Sequence, residues 1–133
     1  MSAENVELVR RGYEHLIKTG EPLYENWDPD LLWDMSTFRG WPEDQTYQGR
    51  EGYERFMRNW LEPFDDWHLD VERFVDADDK VVVIQRQRGT SKSTGVEVDM
   101  RFAQVWTLRG GKVIRVELYA DPEEALEAAG VSK

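Results

Sequence analysis

The chain has 133 residues, the usual size of one domain, and its 40% of apolar residues can form one sizeable core. Because 27 acidic residues outnumber 17 Lys and Arg residues, the net charge is −10, which disfavours nucleic acid as a partner. The chain contains no cysteine, which excludes disulfides and thiolate chemistry, and it has no apolar run long enough to span a membrane. The acidic N-terminus lacks the features of a secretory signal, so we expect a cytoplasmic protein with a single domain over residues 1–133.

The first predicted element is a helix over Ala3–Lys18. Its apolar residues recur at helical spacing and form one stripe, which consists of Val6, Val9, Tyr13, Leu16 and Ile17. Ser2 suits the N-cap of this helix, and Gly20 and Pro22 are typical of its end. A short second helix is predicted around Leu23–Trp27.

A short strand is predicted at Leu31–Met35, after the turn Asp28-Pro29-Asp30. The stretch that follows, Ser36–Gln48, has no periodicity and carries several aromatic residues. A loop of this length in a small domain is usually functional or mobile. The alternative is that its aromatic side chains only close one end of the core.

The strongest helix prediction covers Gly49–Leu61, and Pro63 ends this helix. Its apolar residues fit positions i, i+3, i+4, i+7 and i+8, and they are Tyr53, Phe56, Met57, Trp60 and Leu61. This pattern predicts that one broad apolar face of the helix packs against the core.

Four strands are predicted after this helix, followed by a terminal helix. The strands cover Trp67–Val75, Lys80–Arg88, Val96–Arg109 and Lys112–Ala120. Gly110 and Gly111 form a two-residue hairpin turn, since both positions tolerate positive φ. The pair Asp121-Pro122 is typical of a helix start, and we expect this helix to run through Ala129. The order predicts an α+β domain, in which a strongly curved, mostly antiparallel sheet wraps around the helices.

The order of elements and several short motifs resemble the nuclear-transport-factor-2-like superfamily, and most closely its SnoaL-like polyketide cyclase and ketosteroid isomerase branch. The motifs are Tyr13 with Gly20, Asp28-Pro29-Asp30-Leu31-Leu32-Trp33, Gly49-Arg50-Glu51-Gly52-Tyr53, Phe74-Val75-Asp76, Gly111-Lys112-Val113 and Tyr119-Ala120-Asp121. The resemblance covers nearly the whole chain and implies a conical pocket between sheet and helices. It does not fix the chemistry, because the superfamily contains isomerases, cyclases, dehydratases, epoxide hydrolases and non-catalytic binding domains.

The ketosteroid isomerase resemblance implies three catalytic positions, since those enzymes use an Asp base and an oxyanion hole made of a Tyr and a protonated Asp. Tyr13 matches the oxyanion tyrosine, seven residues before Gly20. The position of the base falls on Met35, with Asp34 beside it. Counting back from Gly111, the position of the protonated acid falls on Ala103.

If Ala103 faces the pocket, strand alternation places Asp99 and Arg101 on the same face. A hairpin centred on residues 89–95 then sets Arg86 opposite Asp99, as a polar pair on an apolar surface. Two alternatives remain open. Opposite charges across a hairpin commonly stabilise a sheet without any further role. A slip of one residue would also place Met100 and its apolar neighbours inside, and the charges outside.

The remaining predicted site residues are walls of the pocket. Trp33, Met35, Trp60 and Leu118 are expected to contact a ligand together with Arg86. If the pocket lies on the Ala103 side of the sheet, the opposite, outer side is predicted to be apolar. This outer face consists of Val98, Met100, Phe102 and Trp106. Such a face predicts a homodimer through the sheet. The sequence predicts neither a metal site nor a bound cofactor.

Three functions fit these observations. The first is a cofactor-free isomerase, cyclase or hydrolase that acts on an apolar or polycyclic carbonyl compound, with Tyr13, Asp34, Asp99 and Arg101 as catalytic groups. The second is a domain that binds a small molecule without turnover. The third is a dimeric interaction module with a filled core. A cavity that holds a carboxylate near a hydrogen-bond donor would favour the enzyme, and an apolar cavity would favour the binding domain.

Overall fold

The computed structural model describes residues 2–131, which form three α-helices and one six-stranded sheet. The helices are α1 (Ala3–Thr19), α2 (Gly49–Leu61) and α3 (Pro122–Ala128); the strands are β1 (Trp27–Asp34), β2 (Thr46–Gln48), β3 (Phe64–Ala77), β4 (Lys80–Ser91), β5 (Glu97–Arg109) and β6 (Lys112–Tyr119). The strand order is β2-β1-β6-β5-β4-β3, and only β1 and β6 are parallel neighbours. The predicted α+β class with a curved, mostly antiparallel sheet is confirmed. In the described range, no helix is both long and apolar enough to cross a membrane.

Helix α1 forms where its sequence pattern predicts it, and both of its ends are capped. The hydroxyl of Ser2 accepts a hydrogen bond from the backbone N–H of Asn5 at 3.1 Å. At the other end Gly20 adopts a φ of 85° and donates its N–H to the carbonyl of Leu16. Tyr13 is buried in the middle of the helix, on the face that packs against the sheet.

The stretch between α1 and α2 differs from the prediction. The expected helix at Leu23–Trp27 is a single 3₁₀ turn at Tyr24–Asn26, and β1 begins at Trp27 instead of Leu31. The register of β1 against β6 shifts between Trp27 and Leu32, so the apparent turn signal in the sequence is a bulge within a strand. Strand β2 lies inside the predicted loop, and it forms because Tyr47 pairs with Trp33 of β1.

The two faces of the sheet are both covered. The concave face packs against α1 and α2, and it carries Phe102 and Trp106 of β5. The convex face packs against α3, and Ala103 lies in this second cluster. The expectation that Ala103 faces the pocket is therefore wrong, as is the expectation that Met100, Phe102 and Trp106 form an exposed outer face. Self-association through the predicted face, which also included Val98, stays a prediction, but Phe102 and Trp106 cannot mediate it because both are buried in the core.

Replacing either of two helical glycines, Gly12 or Gly52, by alanine should change the stability of the fold in opposite directions. A Cβ at Gly52 of α2 would lie 2.9 Å from the backbone carbonyl carbon of Tyr47, whereas a Cβ at Gly12 of α1 would have nothing within 4 Å. We expect Gly52→Ala to lower the free energy of unfolding by about 1–3 kcal/mol, because the backbone of β2 must move. The matched variant Gly12→Ala should raise it by about 0.5–1 kcal/mol, because alanine favours the helix. Urea unfolding of both variants tests this, and a change of the same sign in both would contradict it.

Candidate functional site

A cavity lies between the concave face of the sheet and the two long helices. Its walls are mainly aromatic and include Tyr13, Trp27, Trp33, Tyr53, Phe56, Trp60, Trp67, Phe102 and Trp106. The space that the centre of a water molecule can reach is about 50 Å³, enough for a few waters. The half-buried lining residues Leu16, Leu23, Met57 and Leu69 form its rim. A larger ligand therefore requires these side chains to move.

The polar part of the cavity is a hydrogen-bond network around Tyr13. The hydroxyl of Tyr13 donates to Oε1 of Gln104 at 2.6 Å and accepts from Nε2 of Gln85 at 3.0 Å. The indole Nε1 of Trp106 donates to the same Gln104 oxygen at 2.9 Å. Helix α1 supplies Tyr13, and inward positions of β4 and β5 supply the other three side chains. The network thus fixes the helix against the sheet at the cavity surface.

A second group of polar contacts holds the wall formed by Trp60. Oε1 of the buried Gln87 accepts hydrogen bonds from Nε1 of Trp60 at 2.8 Å and from Nε1 of Trp67 at 2.7 Å. Phe38 and Trp41, from the loop before β2, pack on the Trp60 ring at centroid distances of 5.5 and 5.7 Å. This wall separates the cavity from a shallower surface groove that Phe38 and Trp41 help to line.

The cavity is electrically neutral. No Asp, Glu, His, Lys or Arg belongs to the described residues that line it. Burial raises the pKa of the Tyr13 hydroxyl well above its usual range, and the hydrogen bond from Gln85 opposes this only in part. Burial likewise raises the pKa of Tyr53. Both phenols are therefore hydrogen-bonding groups and not bases near neutral pH. Among the described residues no three metal-binding side chains converge.

Three of the predicted site residues line the cavity, and two others lie in the core beside it. Tyr13, Trp33 and Trp60 belong to its walls. Met35 and Leu118 are fully buried in the same apolar cluster, but neither lines the cavity. The predicted position of these two side chains on the cavity wall is therefore not found in the structure.

The predicted charged groups of β4 and β5 lie on the opposite side of the sheet. Arg86 pairs with Asp99 at 3.2 Å, and Arg101 pairs with Glu72 at 2.7 Å. The side chains of Arg86, Asp99 and Arg101 are about half exposed on the convex face, outside the cavity. The predicted pocket position of Arg86, Asp99 and Arg101 is therefore wrong. In the backbone register Arg86 stands opposite Arg101. Because Ala103 faces outward, alternation along β5 turns Arg101 and Asp99 outward as well.

Asp34 also lies outside the cavity, although it is buried. Its carboxylate accepts from Arg115 of β6 at 2.5 Å and from the hydroxyl of Ser36 at 2.6 Å. Asp34 stands opposite Glu117 on the outer face of the sheet. The prediction that Asp34 is a catalytic group in the pocket is therefore wrong. Asp34 instead pairs with Arg115 at the start of the loop after β1.

The residues that sequence reasoning missed are Gln85, Gln104 and Trp106. Gln85 follows directly on the apolar run Val81–Ile84 of β4, Gln104 lies between Ala103 and Val105 of β5, and each is buried. A polar amide within an apolar strand needs a hydrogen-bond partner, so these positions carried a signal that the site was polar and uncharged.

Comparisons with known proteins give one family and one fold. A family model described as the SnoaL-like domain matches residues 9–116. No curated protein matches the chain.

Three solved structures have similar folds. TerC, co-crystallised with polyporic acid, is 24% identical, with 95% of this chain and 98% of that chain covered and a TM-score of 0.72. An NTF2-like protein from Burkholderia thailandensis E264 is 24% identical, with coverage of 96% and 97% and a TM-score of 0.74. A protein with a ketosteroid isomerase-like fold from Catenulispora acidiphila DSM 44928, in complex with trimethylamine, is 16% identical, with coverage of 99% and 96% and a TM-score of 0.67.

Proposed function

The chain belongs to the SnoaL-like domain family, and from this premise we propose that it binds an uncharged aromatic or polycyclic small molecule in the cavity. The observation that carries the proposal is the neutral lining, in which aromatic rings surround the hydroxyl of Tyr13 and the amides of Gln85 and Gln104. A charged ligand would lose its hydration there without gaining a counter-charge. The co-crystal of TerC with polyporic acid supports a small-molecule ligand for a domain of this fold.

The neutral lining favours binding without turnover over acid/base catalysis. The family is associated with polyketide cyclase and ketosteroid isomerase activity. Proton abstraction from a carbon needs a base within hydrogen-bond reach of the substrate. Among the described residues that line the cavity, the titratable groups are phenols whose raised pKa values keep them protonated. One observation favours the alternative of a cofactor-free isomerase or cyclase: a protonated Tyr13 can donate to an oxyanion, once its proton turns away from Gln104. The base would then have to come from the substrate or from solvent.

Binding of simple probes tests the proposal. We expect 1-tetralone, a neutral bicyclic ketone, to quench the fluorescence of the cavity tryptophans, and the anion 2-naphthoate to bind at least roughly tenfold more weakly. Gly12 lines the cavity with open space above it, so Gly12→Leu should fill that space and weaken 1-tetralone binding. Glu14→Leu, at an exposed position of the same helix, is the control that should leave binding unchanged. Equal affinity for ketone and carboxylate would contradict the proposal.

Affinity should be independent of pH over the physiological range. Because burial raises the pKa of Tyr13, its phenol stays protonated below that raised pKa, and its ability to donate is lost only above it. We expect the dissociation constant of 1-tetralone, measured by fluorescence titration between about pH 5 and pH 9, to be flat. A step in affinity near the pKa of a carboxyl or an imidazole, about 4 or 6.5, would instead indicate a titrating group in the site.

A further inference from the structure

Trp67 is the least constrained aromatic residue in the wall of the cavity. The other four tryptophans of the wall are buried, and each packs against at least two further aromatic rings; they are Trp27, Trp33, Trp60 and Trp106. Trp67 is half-buried, and in the described part of the chain no other aromatic ring packs against its indole. The ring can therefore leave its place without breaking aromatic contacts.

The hydrogen bond of the Trp67 side chain goes to an acceptor that it shares. Oε1 of Gln87 accepts from Nε1 of Trp67 at 2.7 Å and from Nε1 of Trp60 at 2.8 Å. If the half-buried Trp67 indole turns to solvent, water accepts from its N–H, and the Gln87 oxygen keeps its bond to Trp60. The movement leaves neither the indole nor the oxygen without a partner. Trp60 has no such route, because it is only 6% exposed.

The backbone that carries Trp67 is interrupted at this residue. Strand β3 lies at the edge of the sheet, and in the described sheet it pairs with β4 alone. Its register shifts between Asp65 and His68, so that Asp66 and Trp67 both lie opposite Gly89. Asp66 adopts a φ of 51°, and such a bulge interrupts the ladder of hydrogen bonds. Glycine has no side chain with which the neighbouring strand could hold the indole, so the indole has room to turn.

From these observations we propose that Trp67 is the gate of the cavity. Its side chain swings out to solvent to admit a ligand and swings back to close the wall, and Gln87 is the latch that holds the closed position. The inference rests on the proposed function, because a gate serves a cavity that is filled from solvent. It concerns the route and the rate of binding, and it does not depend on the chemical class of the ligand.

The size of the cavity agrees with a gate at this residue. With Trp67 in place, the space that the centre of a water molecule can reach is about 50 Å³. A small-molecule ligand of a protein commonly occupies several hundred Å³, roughly 300 Å³ or more. Trp67 is the largest half-buried side chain that lines the cavity, so its outward turn removes more of the wall than a turn of any other half-buried lining residue.

Exchange of the indole protons tests the motion without a ligand. In ¹⁵N-labelled protein we expect the Nε1–H of Trp67 to exchange with deuterium at least roughly tenfold faster than that of Trp60, although both donate to the same oxygen. The variant Trp67→Phe assigns the resonance. Equal exchange rates of the two indoles would overturn the gate, because they would show that this wall opens as one unit.

Stopped-flow fluorescence with 1-tetralone tests whether the cavity opens with the indole. A gate limits entry and exit alike, so Trp67→Ala should raise the association and dissociation rate constants by about tenfold each and change Kd by less than about threefold. A side chain that only contacts the ligand would change mainly the dissociation rate constant. Trp67→Phe keeps a ring but lacks the bond to Gln87, and it should raise both rate constants by about threefold to tenfold.

Leu16→Ala is the matched control, because Leu16 is a half-buried lining residue on α1, away from β3. We expect its association rate constant to stay within about threefold of the wild-type value. If Leu16→Ala speeds association and Trp67→Ala does not, the cavity opens beside α1 and the gate is wrong. If 1-tetralone does not bind to the wild type, the proposed function fails, and indole exchange alone decides whether Trp67 swings. Trp67→Phe carries the kinetic comparison if Trp67→Ala does not fold.

Discussion

Replacing Gln104 by leucine should lower the free energy of unfolding by about 2–6 kcal/mol, because one oxygen atom satisfies two buried donors. Oε1 of Gln104 accepts from the Tyr13 hydroxyl at 2.6 Å and from the Trp106 indole at 2.9 Å. Both donors are buried, so neither is exposed to bulk water when the amide is removed. Each unsatisfied buried group costs about 1–3 kcal/mol. Urea unfolding measures the loss, and we expect the midpoint to fall while the slope of free energy against urea concentration stays unchanged.

Two further variants show whether the loss comes from the unsatisfied donors. Gln87→Leu is the matched control: its oxygen also accepts from two indoles, but one of them, Trp67, is half-buried and can turn to water. We expect a smaller loss there. The double variant Tyr13→Phe with Gln104→Leu should be less destabilised than the two single losses added, because both partners of one bond are gone. Strict additivity would contradict the account.

The helices and the strand meander could be predicted from sequence because their signals are local. The apolar stripe and the glycine stop of α1, and the full extent of Gly49–Leu61, depend only on spacing and on the terminal residues. Strand β2 could not be predicted in the same way. Its three residues form a strand only because β1, more than ten residues earlier, offers an edge to pair with. The sequence Asp28-Pro29-Asp30 likewise predicts a turn, because the bulge that it forms within β1 is defined only by the pairing with β6.

The site was harder to predict because β5 is apolar on both faces. Phe102 and Trp106 face the helices α1 and α2, while Ala103 and Val105 face α3. Alternation gives the spacing of the two faces but not their identity when both are buried. The resemblance placed Ala103 on the inward face, and alternation then placed Asp99 and Arg101 on that face as well. Tyr13 was found correctly because a helix with one buried stripe has only one inward face.

Asp34 shows how a predicted catalytic carboxylate acts instead as an anchor. It is the last residue of β1, and its side chain and that of the next residue, Met35, lie on opposite sides of the sheet, both buried. The Asp34 carboxylate accepts from both the N–H and the hydroxyl of Ser36, and Thr37 donates to the carbonyl of Leu118. These contacts fix the start of the loop that carries Phe38 and Trp41, the two rings that pack on Trp60 in the cavity wall. The outer face thereby supports the shape of the cavity.

Replacing Arg115 by leucine should therefore lower the free energy of unfolding by about 1–3 kcal/mol, less than the roughly 3–5 kcal/mol of a fully buried ion pair, because solvent screens the half-exposed arginine. The Asp34 side chain is 5% exposed and that of Arg115 is 43% exposed, so the carboxylate is the charge left without compensation. Glu117, whose carboxylate lies 3.8 Å from Arg115 Nε and opposite Asp34, adds repulsion in the variant. Arg101→Leu is the matched control, because its pair with Glu72 is exposed and worth at most about 1 kcal/mol. Thermal and urea unfolding of both variants give the comparison. Equal losses in the two variants would mean that Asp34 does not depend on Arg115, and the anchor would have to rest on Ser36 and Thr37 alone.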